Sequence, residues 1–157
     1  MARTATYHTT VQWEGEHRGH IRTGNGIEME FSAPPDAHGH PGVLTPEDAF
    51  VAAVNTCIML MFIWSAERFK LSLVSYECRA EGVKQIALDR TESFIEVTLR
   101  PRIVVRRDAA ACEETLRSTR RALQSAVKYS LVANSIKSKL IMEPEIKMMA
   151  EGSDTTA

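Results

Sequence analysis

A nearly unbroken apolar run, TPEDAFVAAVNTCIMLMFIW, extends from Thr45 to Trp64 and constrains the fold more than any other feature of the chain. Thr45 can cap a helix, Pro46 suits the first helical position, and acidic residues follow at the positive end of the helix dipole. We predict a helix from this cap to about Arg68. Because this helix is apolar on nearly every side, we expect it to be buried in a protein core or an interface.

The length of the run also approaches that of a transmembrane helix. However, Asn55, Thr56 and Ser65 interrupt it, Glu47 and Asp48 begin it, and the remaining sequence has the pattern of a folded domain. The chain carries 19 basic and 20 acidic residues, a balance that does not attract nucleic acid or an anionic membrane strongly. We therefore expect neither a membrane nor a nucleic acid as a partner.

Segments on both sides of this helix alternate between apolar and polar residues, which predicts strands. Three strands are predicted before the helix, within residues 4–13, 17–26 and 27–32. A turn at Asn25-Gly26 separates the second from the third. Two more strands are predicted over 70–83 and 92–105, and Pro101 indicates an edge or a bulge in the latter. Val74, Tyr76, Cys78 and Ala80 are predicted to share one face of the former.

A second amphipathic helix is predicted after a cap at Asp108. Its predicted apolar stripe consists of Cys112, Leu116, Thr119, Leu123 and Val127. A bend with a short helix over 129–138 and a last strand over 139–149 complete the order β-β-β-α-β-β-α-α-β. This order belongs to the α+β class. We expect one domain over residues 1–150 and a disordered tail over 151–157.

The cysteine count and the N-terminal sequence limit the class of protein. Three cysteines without a CxxC pair argue against a disulfide framework and against a structural zinc site. The first ten residues lack the apolar core of a signal peptide, so we expect a cytoplasmic protein. His17 and His20 face opposite sides of a predicted strand, and the loop residues His38 and His40 could chelate only weakly, so we expect no metal site.

Cys57, at the middle of the predicted central helix, allows two interpretations. As a small apolar residue it would fill the core, because free cysteine is among the most buried residue types. As a reactive group it would need to be a thiolate, which burial disfavours and which the dipole of its own helix cannot stabilise at mid-helix. The reactive interpretation therefore requires a cation from elsewhere, most naturally an arginine.

The central helix resembles that of the OsmC/Ohr family, which comprises the osmotically inducible protein C and organic hydroperoxide resistance proteins. The family helix starts with Asn or Thr, Pro and Glu, and its reactive cysteine follows ten residues after the Glu, as Cys57 follows Glu47 here. Further on, AVKYSLVANS is similar to a family segment in which an Asn follows a Cys after three residues. The predicted element order matches the family along nearly the whole chain.

This resemblance implies an OsmC-like α+β fold and an intertwined homodimer with the two long helices at its centre. It also implies a thiol peroxidase site near the subunit interface, where the first cysteine attacks organic or hydrogen peroxide and becomes a sulfenic acid. In the family a second cysteine then forms a disulfide, which a dithiol reduces. No metal or organic cofactor is implied.

The sequence departs from the family at the second cysteine, which falls on Ser130, because a serine hydroxyl cannot form the disulfide. Cys78 and Cys112 are interpreted as packing residues rather than substitutes. A one-cysteine peroxidase, whose sulfenic acid is reduced by an external thiol, is one outcome. A fold that has lost peroxidase activity is the other.

The family pattern also places an arginine in the N-terminal strands, paired with the Glu and directed at the thiolate. Arg18 and Arg22 are the candidates, and counting back from IEMEFSAP favours Arg18. Glu47 cannot reach Cys57 along one helix, because ten helical residues span ~15 Å. It would act through the arginine or from a partner helix; otherwise it is simply a carboxylate at the start of a helix.

Two functions follow from these residues. In the first, Cys57 is the nucleophile of a peroxidase, Arg18 stabilises its thiolate and orients the peroxide, and Glu47 holds the arginine. The alternative is a non-catalytic OsmC-like dimer that binds a small hydrophobic ligand on methionine-rich surfaces, although methionines at such positions commonly belong to the core. These methionines are Met59, Met61, Met142, Met148 and Met149.

Overall fold

The computed structural model describes residues 1–107 and 112–150. The chain divides into two compact units, one formed by Met1–Phe50 and the other beginning at Val51. The predicted cap at Asp108 and the predicted tail over 151–157 lie outside the described residues.

The first unit contains a three-stranded antiparallel sheet in the order β1-β2-β3. Its strands are β1 (Thr9–Trp13), β2 (Arg18–Thr23) and β3 (Glu28–Ser32). The predicted turn at Asn25-Gly26 is confirmed, with Gly26 at a positive φ of 94° that an L-residue rarely adopts. The first strand is shorter than predicted, because Thr9 already pairs with Thr23, the last residue of β2.

The long helix α1 spans Pro46–Arg68, as predicted. At its start the Thr45 hydroxyl accepts a hydrogen bond from the backbone N–H of Asp48 at 3.1 Å and donates one to its carboxylate at 2.9 Å. The helix ends where Lys70 adopts a positive φ of 55° and the N–H of Leu71 bonds back to the carbonyl of Ala66. This left-handed closure is a common way to terminate a helix.

A long antiparallel hairpin, β4 (Leu73–Ile86) and β5 (Glu92–Arg106), follows the helix. The prediction that Val74 shares the inner face with Tyr76, Cys78 and Ala80 is wrong for Val74, which is exposed. The register shifts between Leu73 and Ser75, and such a bulge reverses the alternation of side chains. Leu73 faces inward instead and packs against the core.

On its other side β5 pairs in parallel with two short strands, β6 (Lys139–Met142) and β7 (Glu145–Met149), where a single last strand was predicted. β6 pairs as far as Leu99, and β7 pairs from Arg102 onward. Pro101 was predicted to mark an edge or a bulge, and both predictions are wrong: β5 is a central strand, and its register with β4 is regular at Pro101. Pro101 instead lies opposite the break between β6 and β7. A proline has no N–H to donate, and the interruption of the ladder accommodates it.

The second long helix, α2, spans Cys112–Tyr129. Its buried face consists of Thr115, Thr119, Ala122, Leu123 and Ala126, so the predicted stripe is correct at Thr119 and Leu123 but wrong at the exposed Cys112. The short helix predicted over 129–138 is a single 3-10 turn, Ala133–Ser135. The hydrophobic core joins α1, β5 and α2 through Phe62, Ala66, Ile103, Val105, Ala122, Leu123 and Ala126.

Much of α1 is exposed in the single chain, although its composition predicted burial. The buried residues Val54, Ile58 and Phe62 lie on one face, whereas Leu60 is 47% and Trp64 is 58% exposed. By length and apolar composition α1 could cross a membrane, a test that the core helices of soluble proteins also meet. Large apolar side chains that are exposed together on one helix face are typical of an interaction surface.

Candidate functional site around Cys57

Cys57 and Ser130, which are 73 positions apart, meet in the second unit. Cys57 lies at mid-α1 and Ser130 directly follows the last residue of α2. The Ser130 hydroxyl donates a hydrogen bond to the sulfur of Cys57, with 3.1 Å between Oγ and Sγ. The structure therefore brings together the two positions that the sequence resemblance had matched to a pair of cysteines.

The backbone after α2 holds Ser130 in place through a set of local hydrogen bonds. The N–H of Ala133 donates to the Ser130 hydroxyl oxygen at 3.1 Å, and the N–H of Asn134 donates to the Ser130 carbonyl at 3.0 Å. The Asn134 side chain donates to the carbonyl of Lys128 at 3.0 Å. These bonds explain why a serine and an asparagine are spaced four residues apart at this turn.

The residues around Cys57 differ in their exposure to solvent. Ser130 is completely buried, and Val54 and Ile58 on α1 are also inaccessible, whereas Cys57 itself is half-buried. The residues that flank Ser130 in the chain, Tyr129 and Leu131, are exposed. Cys57 is therefore partly accessible in the single chain and contacts a buried hydroxyl.

The two candidate arginines differ in their partners. The Arg22 guanidinium forms an ion pair with Glu28 on β3, and this neighbour holds the pKa of the Glu28 carboxyl below its usual range. Arg18 is exposed at the start of β2 and forms no ion pair with any carboxylate of the described residues. The two arginines therefore differ in their carboxylate partners, and the assignment of either one to a functional site stays a prediction.

Glu47 occupies the first turn of α1, and its Oε2 atom is buried without a hydrogen-bond partner among the described residues. The structure does not pair it with Arg18 within the described part of the chain. A buried carboxylate oxygen without a partner is costly. The role of Glu47 stays a prediction.

The other two cysteines differ from each other. Cys78 is half-buried on the inner face of β4, in line with the packing interpretation, and burial raises the pKa of its thiol. Cys112 is exposed, so its interpretation as a packing residue is wrong; the Arg107 guanidinium donates a hydrogen bond to its sulfur at 3.5 Å. All three cysteines lie in the described residues, and all three are free.

All five histidines lie in the first unit, and four of them, His17, His20, His38 and His40, contact another side chain. The His17 and His38 rings stack with their centroids 5.7 Å apart, and His40 contacts the Glu16 carboxylate at 3.3 Å. Within residues 1–107 and 112–150 no three His, Cys, Asp or Glu side chains are grouped as metal ligands.

Three of the methionines considered for a ligand surface, Met61, Met142 and Met148, pack against the core. Met142 also lines a shallow groove of about 400 Å³ beside α2. The other lining residues of this groove are Arg120, Leu123, Gln124, Val127 and Pro144.

Comparison with known proteins gives matches to solved structures. No family model matches the chain, and no curated protein matches it. An OsmC-like protein of unknown function from Vibrio cholerae is 22% identical, with a TM-score of 0.81 over 90% of this chain and 100% of that chain.

Two organic hydroperoxide resistance proteins also match. The protein from Elizabethkingia anophelis is 18% identical, with a TM-score of 0.70 over 95% of this chain and 100% of that chain. OhrB of Bacillus subtilis is 16% identical, with a TM-score of 0.62 over 91% of this chain and 98% of that chain. The chain therefore has the α+β fold of the OsmC-like and organic hydroperoxide resistance proteins, as its central helix motif predicted.

Proposed function

We propose that this protein is a thiol-dependent peroxidase that reduces organic or hydrogen peroxide through Cys57. The observation that carries the proposal is the hydrogen bond from the buried Ser130 hydroxyl to the Cys57 sulfur, 3.1 Å long. A fixed donor favours the charged form of the group that it contacts. The fold shared with organic hydroperoxide resistance proteins supports the same chemistry, and a role in the cytoplasmic response to peroxide stress accords with it.

In the first step the Cys57 thiolate attacks one peroxide oxygen, and the O–O bond breaks as the S–O bond forms. The leaving alkoxide, or hydroxide from hydrogen peroxide, takes a proton and departs as an alcohol or water. The sulfur is thereby oxidised to a sulfenic acid. Arg18 is proposed to stabilise the thiolate and to orient the peroxide, with Glu47 holding the guanidinium.

We further propose that the functional unit is a homodimer formed through α1. An exposed stripe on this helix, consisting of Ala53, Thr56, Leu60 and Trp64, follows the three- to four-residue spacing of one helix face. Two of its members are large apolar side chains that are about half exposed in the single chain. A second copy would cover this stripe and could supply the cation that the buried Glu47 oxygen lacks.

The peroxidase proposal is tested by peroxide consumption in the presence of an added thiol. Wild-type protein should consume an organic hydroperoxide catalytically, and Cys57→Ser should reduce the rate to background. Cys112→Ser is the matched control, because Cys112 is exposed at the start of α2. Full turnover by Cys57→Ser would overturn the proposal.

The second candidate is a non-catalytic dimer that binds a small hydrophobic ligand, and the groove beside α2 favours it. Its apolar lining includes Leu123, Val127 and Met142. Thiol reactivity distinguishes the two functions. Rapid alkylation of Cys57 in the native protein below neutral pH supports the peroxidase, whereas a Cys57 that reacts only after denaturation supports the binding protein.

A further inference from the structure

The position that corresponds to the family's second cysteine is occupied by a hydroxyl that cannot be oxidised to a disulfide, yet it points at the reactive sulfur. Ser130 is fully buried, and its Oγ lies 3.1 Å from the Cys57 Sγ. The serine therefore leaves neither a void nor an apolar contact beside the sulfur.

We propose that Ser130 is a positioning residue that stabilises Cys57 as a thiolate and that its hydroxyl then holds the sulfenic acid, which an external thiol reduces. The reaction would thus use one cysteine of this chain. The catalytic part of this proposal rests on the proposed peroxidase function, whereas the hydrogen bond itself does not.

The direction of the hydroxyl proton follows from its neighbours. A serine hydroxyl has one proton to donate and lone pairs to accept. The N–H of Ala133 already donates to Oγ at 3.1 Å, so this oxygen acts as an acceptor on that side. Its proton is free for the sulfur, and a hydrogen bond to an ionised acceptor is roughly twice as strong as a neutral one.

Reduction of the sulfenic acid then requires two equivalents of an external thiol. The first thiolate attacks the Cys57 sulfur, the S–O bond breaks, and the oxygen leaves as water while a mixed disulfide forms. A second thiol attacks the external sulfur and displaces Cys57 as a thiolate. The external thiols are oxidised to a disulfide, and the two electrons that reduced the peroxide are thereby replaced.

The first experiment measures the rate of Cys57 alkylation against pH, with the modified peptide quantified by mass spectrometry. Ser130→Ala should move this profile toward higher pH, since a hydrogen bond to the sulfur is lost. Ser135→Ala is the matched control: Ser135 lies in the same turn but donates to the Leu131 carbonyl at 2.7 Å. It should leave the profile unchanged.

The second experiment follows the intact mass after one equivalent of hydroperoxide. Wild type should gain about 16 Da, the mass of one oxygen atom, and the product should be trapped by a dione reagent specific for sulfenic acids. Ser130→Cys should instead lose about 2 Da, because a thiol at this place can condense with the sulfenic acid to a disulfide. With excess peroxide wild type should proceed to sulfinic acid, and Ser130→Cys should resist this oxidation.

Two results would overturn the proposal. One is an alkylation profile that Ser130→Ala leaves at the wild-type midpoint while its circular dichroism spectrum is unchanged. The other is a disulfide between Cys57 and Cys78 or Cys112 in peroxide-treated wild type, without a trappable sulfenic acid. Failure of the peroxidase function would look different, because the Ser130→Ala shift would persist in a protein that does not consume peroxide.

Discussion

Trp64 provides a direct test of the proposed dimer. Its side chain is 58% exposed on α1 in the single chain. A tryptophan offers roughly 250 Å² of surface, so a partner that covers it completely would remove about 145 Å² from water. At ~25 cal/mol per Å² this burial stabilises the dimer by about 3.6 kcal/mol per copy, or ~7 kcal/mol for two copies, as an upper limit.

Trp64→Asp removes this apolar contact and places a carboxylate where the partner helix would pack. We expect the dissociation constant to rise at least about a hundredfold, which corresponds to ~2.7 kcal/mol and less than half of the upper limit. Trp64→Phe keeps an apolar ring and should remain a dimer at the same concentration. Light scattering coupled to size-exclusion chromatography, over a dilution series, measures the change.

The refuting results are equally specific. A wild-type protein that is monomeric at high concentration would exclude a dimer altogether. A Trp64→Asp variant that dissociates no more readily than wild type would show that the exposed stripe of α1 is not the interface. Circular dichroism of each variant separates loss of the dimer from loss of the fold.

Two further predictions concern stability. Phe62 is fully buried, and its ring centroid lies 5.3 Å from that of Tyr76. Phe62→Ala should therefore lower the free energy of unfolding, measured by urea titration, by about 3–5 kcal/mol. A smaller loss of stability than that caused by Phe62→Leu would contradict this packing. Arg22 lowers the pKa of Glu28 in the folded state. Their ion pair therefore stabilises the fold at pH values above the unfolded-state pKa of Glu28, and this stabilisation is lost as the pH falls through the lower, folded-state pKa. Wild type and Glu28→Gln should therefore differ in thermal midpoint at neutral pH and converge in acid, and a pH-independent difference would refute this.

Much of the secondary structure was predictable because its causes are local. Thr45 and the residues that follow it specify the start of α1, and the structure confirms both the cap and the end at Arg68. The predictions fail where pairing between strands that are distant in the sequence determines the local structure. The bulge beside Val74 and the break opposite Pro101 depend on the register with a neighbouring strand, which local alternation does not contain.

In the candidate site, too, local sequence patterns were predictable and contacts between distant residues were not. The motif from Glu47 to Cys57 predicted the candidate thiol, and the spacing of Ser130 and Asn134 predicted its counterpart. The structure brings these two side chains together, whereas their catalytic role stays a prediction. The sequence did not predict that Cys112 would be exposed beside Arg107, because an amphipathic stripe can be displaced by one residue when a helix packs. It also gave two candidate arginines; the structure pairs Arg22 with Glu28, and the choice between Arg18 and Arg22 stays a prediction.

The sequence by itself determined that this chain contains a long apolar helix with a thiol at its centre, since capping and hydrophobic patterning act between residues that are neighbours in the chain. Only the tertiary structure decided what that thiol contacts. The donor on Ser130 comes from 73 positions away, and its approach to Cys57 depends on how α1, β5 and α2 bury their apolar faces together.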